Sequence, residues 1–125
     1  MTFKIIKPAS VAPVAIDGRP ERGTTIPLVN TDLGTDNLDV HINVLLPKGP
    51  SGREHRHSRA DNVYIVKSGE GLLTVEGEPH RIVVDDVVFL PAGVHHSLAN
   101  VSDRELVIYE IYAPSGPAFD FLVRE

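Results

Sequence analysis

Gly49-Pro-Ser-Gly-Arg-Glu-His-Arg-His-Ser-Arg-Ala-Asp-Asn62 is the stretch around which the remaining sequence arranges itself. His55 and His57 lie two residues apart, so in an extended segment both imidazoles leave from one face. Two neutral imidazoles turned inward without partners cost roughly 2 kcal/mol or more each. A metal ion removes that cost, and imidazole suits zinc, iron, nickel and copper. Two ordinary surface histidines would show the same spacing, so the choice rests on whether the rest of the chain adds ligands and a cavity.

The flanking sequence reads as short strands separated by turns. Leu38–Leu46 alternates as a strand and ends at Pro47-Lys-Gly-Pro50, and Val63–Lys67 leads through Ser68-Gly-Glu-Gly71 into Leu72–Glu76. A Gly77-Glu-Pro79 turn precedes His80–Val84, Asp85-Asp86 breaks the chain before Val87–Leu90, and Pro91-Ala-Gly93 turns it into His95–Ala99. Arg104–Tyr112 is the longest and most apolar strand, and Phe119–Val123 is expected to fold back on the body or on a second subunit. Upstream, Thr24–Val29 reads as a strand whose Pro27 suits an edge, and Phe3–Ile6 and Val11–Ile16 are candidate edge strands. Many short strands with turns every eight to twelve residues indicate an all-β sandwich or barrel, and about eight or more such strands favour a jelly roll. Residues 1–37 read as an amino-terminal arm with edge strands and residues 38–125 as the barrel, one domain in all.

Composition narrows the function classes. A chain of 125 residues can bury about two-thirds of its unfolded surface and needs no disulfide staples. It has no cysteine, which removes thiolate metal sites, thiol catalysis and zinc fingers. The net charge of −5 argues against nucleic-acid binding, which calls for a basic surface. No apolar run approaches the roughly 18 residues of a membrane helix. Pro8 and Pro13 interrupt any signal-peptide core after Lys4 and Lys7, so the expected location is the cytoplasm.

Pro91-Ala-Gly-Val-His-His96-Ser-Leu-Ala-Asn100 supplies a third inward candidate, His96. Together the two stretches resemble the paired motifs of the cupin superfamily, in its small single-domain form. The first motif maps onto Gly49, His55, His57 and Gly69, with Asn62 in the position of the family's glutamate. The second maps onto Pro91, Gly93, His96 and Asn100, with Asp85 in place of its first glycine. Eight of ten specified positions match, over residues from about 38 to 112. The resemblance implies a cupin-type jelly-roll barrel (a double-stranded β-helix), usually paired as a homodimer. It also implies a divalent ion (iron, manganese, zinc or nickel) held by His55, His57 and His96.

Asn62 is then a weak or replaced fourth ligand, because an amide oxygen is neutral. Neighbouring Asp61 fits a shorter spacing of the motif, but the Gly69 turn favours Asn62 inward and Asp61 outward. Tyr64 shares the parity of Asn62 and is either an acid in the cavity or a core aromatic. Arg53 shares the parity of the histidines and either clamps a substrate carboxylate or pairs with Glu54 or another carboxylate. His95 should face away from His96, His80 should lie at the surface, and the parity of His41 is open. Phe119, Phe121, Leu122 and the amino-terminal arm offer surface for pairing two chains. The barrel type fixes no reaction. Two functions remain: a metal-dependent oxygenase, isomerase or lyase acting on a small oxygen-rich molecule, neutral or anionic, or a binding module without turnover.

Overall fold

A computed structural model describes residues 3–124. Eleven strands form two antiparallel sheets. In chain order they are β1 (Val14–Ala15), β2 (Gly23–Val29), β3 (Asp39–Leu45), β4 (His55–Arg56), β5 (Asp61–Ser68) and β6 (Glu70–Val75). They continue as β7 (Glu78–Val83), β8 (Val87–Leu90), β9 (His96–Ala99), β10 (Leu106–Ala113) and β11 (Leu122–Val123). One sheet has the order β1-β2-β3-β10-β5-β8 and the other β11-β4-β9-β6-β7. Two facing sheets with this crossing connectivity are the jelly roll expected from the spacing of the turns. Among the described residues, no helix is long and apolar enough to cross a membrane.

From β2 onward, apart from β4, which reads as a loop in the sequence, and the short β11, strand bounds fall within about two residues of the sequence reading, because turn residues mark them. Gly69 has φ +80, and a Cβ there would stand 2.3 Å from the Glu105 carbonyl oxygen, so the turn needs glycine twice over. The arm differs from expectation. Phe3–Ile6 forms no strand, with Phe3 and Ile5 exposed, and Val11–Ile16 contributes only the two residues of β1. Val14 and Ala15 meet Thr25 and Thr24 and cover only the start of the β2 edge. β1 stops short of Pro27, where the pairing of β2 with β3 slips by a residue, so the proline sits at a local edge.

Alternation divides the barrel interior into an apolar end and a polar end. Leu45, Val66, Leu106 and Ile108 belong to the core, together with Leu73, Leu90 and Leu98 from other strands. Further along the same inner faces the side chains become Asn43, His41 and Asp39 on β3, Glu110 and Tyr112 on β10, and Tyr64 and Asn62 on β5. The register sets His41 beside Glu110 and Glu110 beside Tyr64. The opposite face of the same sheet carries two apolar rows. Ile26, Ile42, Tyr109, Ile65 and Val87 follow one another across five strands, and Val29, Val40, Ile111, Val63 and Phe89 lie in the next row.

Candidate metal centre

Local structure delivers the three imidazoles. His55 lies on β4 and pairs with His96 on β9, while His57 follows as the chain leaves β4. The inward parity of His55 and His57 is as the two-residue spacing predicts. The potential ligand atoms of His55, His57 and His96 all lie within 4.8 Å of one another. The sequence motifs named these three, and the fold brings them together.

Hydrogen bonds fix which nitrogen is free. Nδ1 of His55 donates to the Arg53 carbonyl (2.7 Å), Nδ1 of His57 to the Asp120 carbonyl (2.6 Å) and Nδ1 of His96 to the Val94 carbonyl (3.0 Å). A carbonyl can only accept, so each neutral ring carries its proton on Nδ1 and leaves a lone pair on Nε2. Nε2 of His57 and of His96 are buried and have no partner among the described residues. Burial also favours the neutral form of His55 and His96. It pushes His55 down to about 4, opposed by the Arg53 carbonyl and reinforced by the neighbouring imidazoles, and it pushes His96 down as well. Buried, unprotonated nitrogens left without donors fit a divalent cation.

Asn62 is fully buried and Asp61 is exposed, as the Gly69 register implied. The Asp61 carboxylate accepts the Ala92 N–H (2.9 Å) on the outer side. Nδ2 of Asn62 donates to Oε1 of Glu110 (2.9 Å), and its Oδ1 is a third buried, unpartnered acceptor.

Glu110 was not singled out from the sequence, although a lone carboxylate in the apolar run Leu106–Tyr112 was a visible signal. It also accepts from Nδ2 of Asn43 (2.8 Å) and pairs with Nε2 of His41 (3.2 Å). Burial works against its charge, yet His41 and Asn62 hold its carboxyl below the usual range. His41, whose parity was open, faces inward between Asp39 (2.8 Å) and Glu110. Burial disfavours its charge too, but the two carboxylates prevail and push it up to about 9, so it is an imidazolium at neutral pH. Asp39, His41, Glu110 and Asn62 thus form a continuous hydrogen-bonded line across the sheet.

The carboxy-terminal tail completes the site from outside. β11 pairs with β4, Phe121 stacks on His55 at 4.0 Å between ring centroids, and Phe119 lies 4.6 Å from His57 and 3.9 Å from Tyr112. Of the two arrangements left open for this segment, the chain adopts the one on its own body.

A cavity of about 320 Å³ opens between His55 and His57, the Glu110 wall and the amino-terminal turn. Tyr64 is buried at its floor, where burial raises its hydroxyl well above the ordinary value, so it is a neutral donor. The exposed Arg53 side chain lines the mouth. Glu54 pairs with Arg124 rather than Arg53, and Arg53 makes no ion pair among the described residues. His80 is exposed, and His95 faces away from His96 toward Glu76.

A family model described as a cupin domain matches residues 42–112. An oxalate-binding protein of Thermotoga maritima is 33% identical over 61 residues, 49% of this chain and 50% of that protein. The matches span between 19% and 62% of the length of the curated relatives. Among solved structures, the polyketide cyclase RemF of Streptomyces resistomycificus aligns with a TM-score of 0.81 at 18% identity, covering 99% of this chain and 87% of that one. A sugar phosphate isomerase from a cupin superfamily in Silicibacter pomeroyi aligns with a TM-score of 0.74 at 18% identity, covering 97% and 93%. At such identities the structures share the fold.

Proposed function

From the premise that this chain belongs to the cupin family, whose domain model covers more than half of it, we propose that it is a metal-dependent enzyme. In this reading it acts on a small, oxygen-rich, anionic molecule by oxygenase, isomerase or lyase chemistry. The supporting observation is the set of three imidazoles, each with Nδ1 tied to a backbone carbonyl and Nε2 left as a lone pair. His55, His57 and His96 hold the ion through Nε2, with Oδ1 of Asn62 as a neutral fourth ligand. Iron, manganese, zinc or nickel suits such a set, and the ion when bound supplies Lewis acidity or, if iron, dioxygen chemistry.

The chain's own residues do the rest. Glu110 holds the Asn62 amide by its nitrogen and so reserves the amide oxygen. As an ionised carboxylate in the cavity wall, Glu110 supplies negative charge beside the imidazoles, and His41 keeps it charged. Tyr64 donates a neutral hydrogen bond to a substrate oxygen, and Arg53 meets an acidic group at the mouth.

Elemental analysis of the untagged protein tests the reading. We expect close to one equivalent of a single transition metal, and less than about a tenth, even after reconstitution, would refute it. His96→Ala should abolish metal binding, and retained stoichiometry would mean other ligands hold the ion.

A second reading, a binding module without turnover, is favoured by one observation: a neutral amide stands where the family has a carboxylate. The oxalate-binding relative supports it as well. Loaded protein that binds an acid but shows no product and no oxygen uptake with diketones, catechols or thiols would select it.

We further propose that the protein is a homodimer joined through the two apolar rows outside the six-stranded sheet. Ile65, Val87 and Phe89 there are 37%, 66% and 61% exposed, a cost to a lone chain that a second copy of the same face removes. Phe119 and Phe121, candidates for pairing by sequence, lie against His57 and His55, and Phe121 remains 41% exposed.

A further inference from the structure

We propose that the cavity contains a carboxylate-binding subsite built on Arg22, and that Asp17 occupies it as an internal counter-ion which an incoming organic acid displaces. That the acid is also the substrate rests on the function proposed above, but the anion site stands on its own geometry.

Arg22 is only 6% exposed and lines the same cavity as the imidazoles. A guanidinium has five N–H donors. Two of them are engaged, Nη1 with Asp17 (2.8 Å) and Nη2 with the Leu98 carbonyl at a long 3.4 Å. Nε is buried with no partner among the described residues. A buried cation so sparsely satisfied is costly unless something else accepts from it. Burial disfavours its charge, and Asp17 restores part of the loss. Tyr64, whose hydroxyl also lines the cavity, is near enough to feel the charge of both.

Asp17 has the marks of a displaceable partner. Its side chain is 53% exposed while that of Arg22 is 7% exposed, so the pair is open on the acid's side. It sits at φ +50 in the single turn Ile16–Gly18, a left-handed position that aspartate and asparagine tolerate better than other side chains. The turn itself is anchored by Ile16, which is buried in the core, and not by the ion pair alone.

The location suits a ligand that reaches the metal. The guanidinium lies against Gly52, where a Cβ would come within 2.8 Å of Nη2. Gly52 is three residues from His55, no more than about 11 Å of extended backbone. A short acid can therefore place its carboxylate on Arg22 and an oxygen at the imidazoles. A planar guanidinium fork suits carboxylate and phosphate alike, and what favours the first here is that a carboxylate, Asp17, is what Arg22 already holds. The balance of charge agrees. Arg22, Arg53 and imidazolium His41 offset Asp17, Asp39 and Glu110 in the cavity wall. A divalent ion then leaves a surplus of positive charge for an anion.

Calorimetric titration with malonate, and separately with inorganic phosphate, tests the assignment on protein as purified and after chelator treatment. Asp17→Asn keeps the turn and removes the competitor, so malonate should bind about fivefold more tightly. Arg22→Gln should lose at least tenfold. Chelation should weaken malonate further without removing the dependence on residues 17 and 22. If no metal is held at all, chelation changes nothing while both variant effects persist, which separates failure of the metal reading from failure of this one. Unchanged or weaker binding in Asp17→Asn overturns the proposal even where Arg22→Gln fails to fold. Wild-type affinity in a folded Arg22→Gln protein, or phosphate bound more tightly than malonate, overturns it too.

Discussion

Asp85 stands where the cupin pattern has glycine, and its backbone shows why that position was glycine: φ is +73, in the left-handed region. Aspartate tolerates the region at a cost of about 1 kcal/mol relative to glycine. Asp85→Gly should therefore stabilise the fold by about 0.5–1 kcal/mol, read as a higher thermal midpoint. His41 makes a second prediction at this scale. Its folded value of about 9 lies above the ordinary 6.5, so folding favours its charged form. That stabilisation is fully present below about pH 6.5 and is lost as pH rises through about 9, on the order of 3 kcal/mol in total. His55 acts in the other direction in metal-free protein. Its folded value of about 4 means that stability falls as pH drops below 6.5, because the unfolded chain then binds more protons. Urea midpoints of metal-free protein should thus peak near pH 6.5. In Glu110→Gln, the alkaline decline should shrink and the His41 titration followed by NMR should move to lower pH. The three imidazoles were legible in the sequence because two motifs fixed their parity. The partnership of Glu110 with Asn62 and His41 was not, because 48 and 69 residues separate them and only sheet register sets them side by side.

Strands were legible wherever turn chemistry bounded them, since glycine, proline and aspartate act locally on the backbone. The two ends of the chain were not, because what they do depends on distant partners. Phe3–Ile6 has the composition of a strand but pairs with no edge, whereas the two-residue β11 exists only because β4 is there to receive it. The segment from Phe119 to Val123 is the element whose loss should be most informative. Its Asp120 carbonyl holds His57 in the tautomer that leaves Nε2 free, and Phe121 stacks on His55. Truncation after residue 118 should leave the barrel folded, since the core cluster contains no residue beyond Ile108. Metal affinity should fall about 10–100-fold, measured by competition with a chromophoric chelator. An unchanged affinity would mean that the tail merely covers the imidazoles.

Over the whole molecule, burial is uneven in a way that one chain does not resolve. The inside of the six-stranded sheet faces core and cavity, while its outside carries ten side chains in two rows, nine of them aliphatic or phenylalanine. Light scattering should give the mass of a dimer. Paired substitution of Ile65 and Val87 by lysine should yield a monomer that still binds metal, because neither side chain touches the cavity. A wild-type monomer would assign those rows some other partner. Asp17, Arg22, His41 and Asp120 all lie outside residues 42–112, the span that the family model matches, yet Asp17, Arg22 and His41 line the cavity and Asp120 holds His57. Control of the site is accordingly divided. The span matched by the family model carries the three imidazoles, while residues that hold or tune them come also from both flanks, so substitutions there can alter ligand preference without touching a metal ligand.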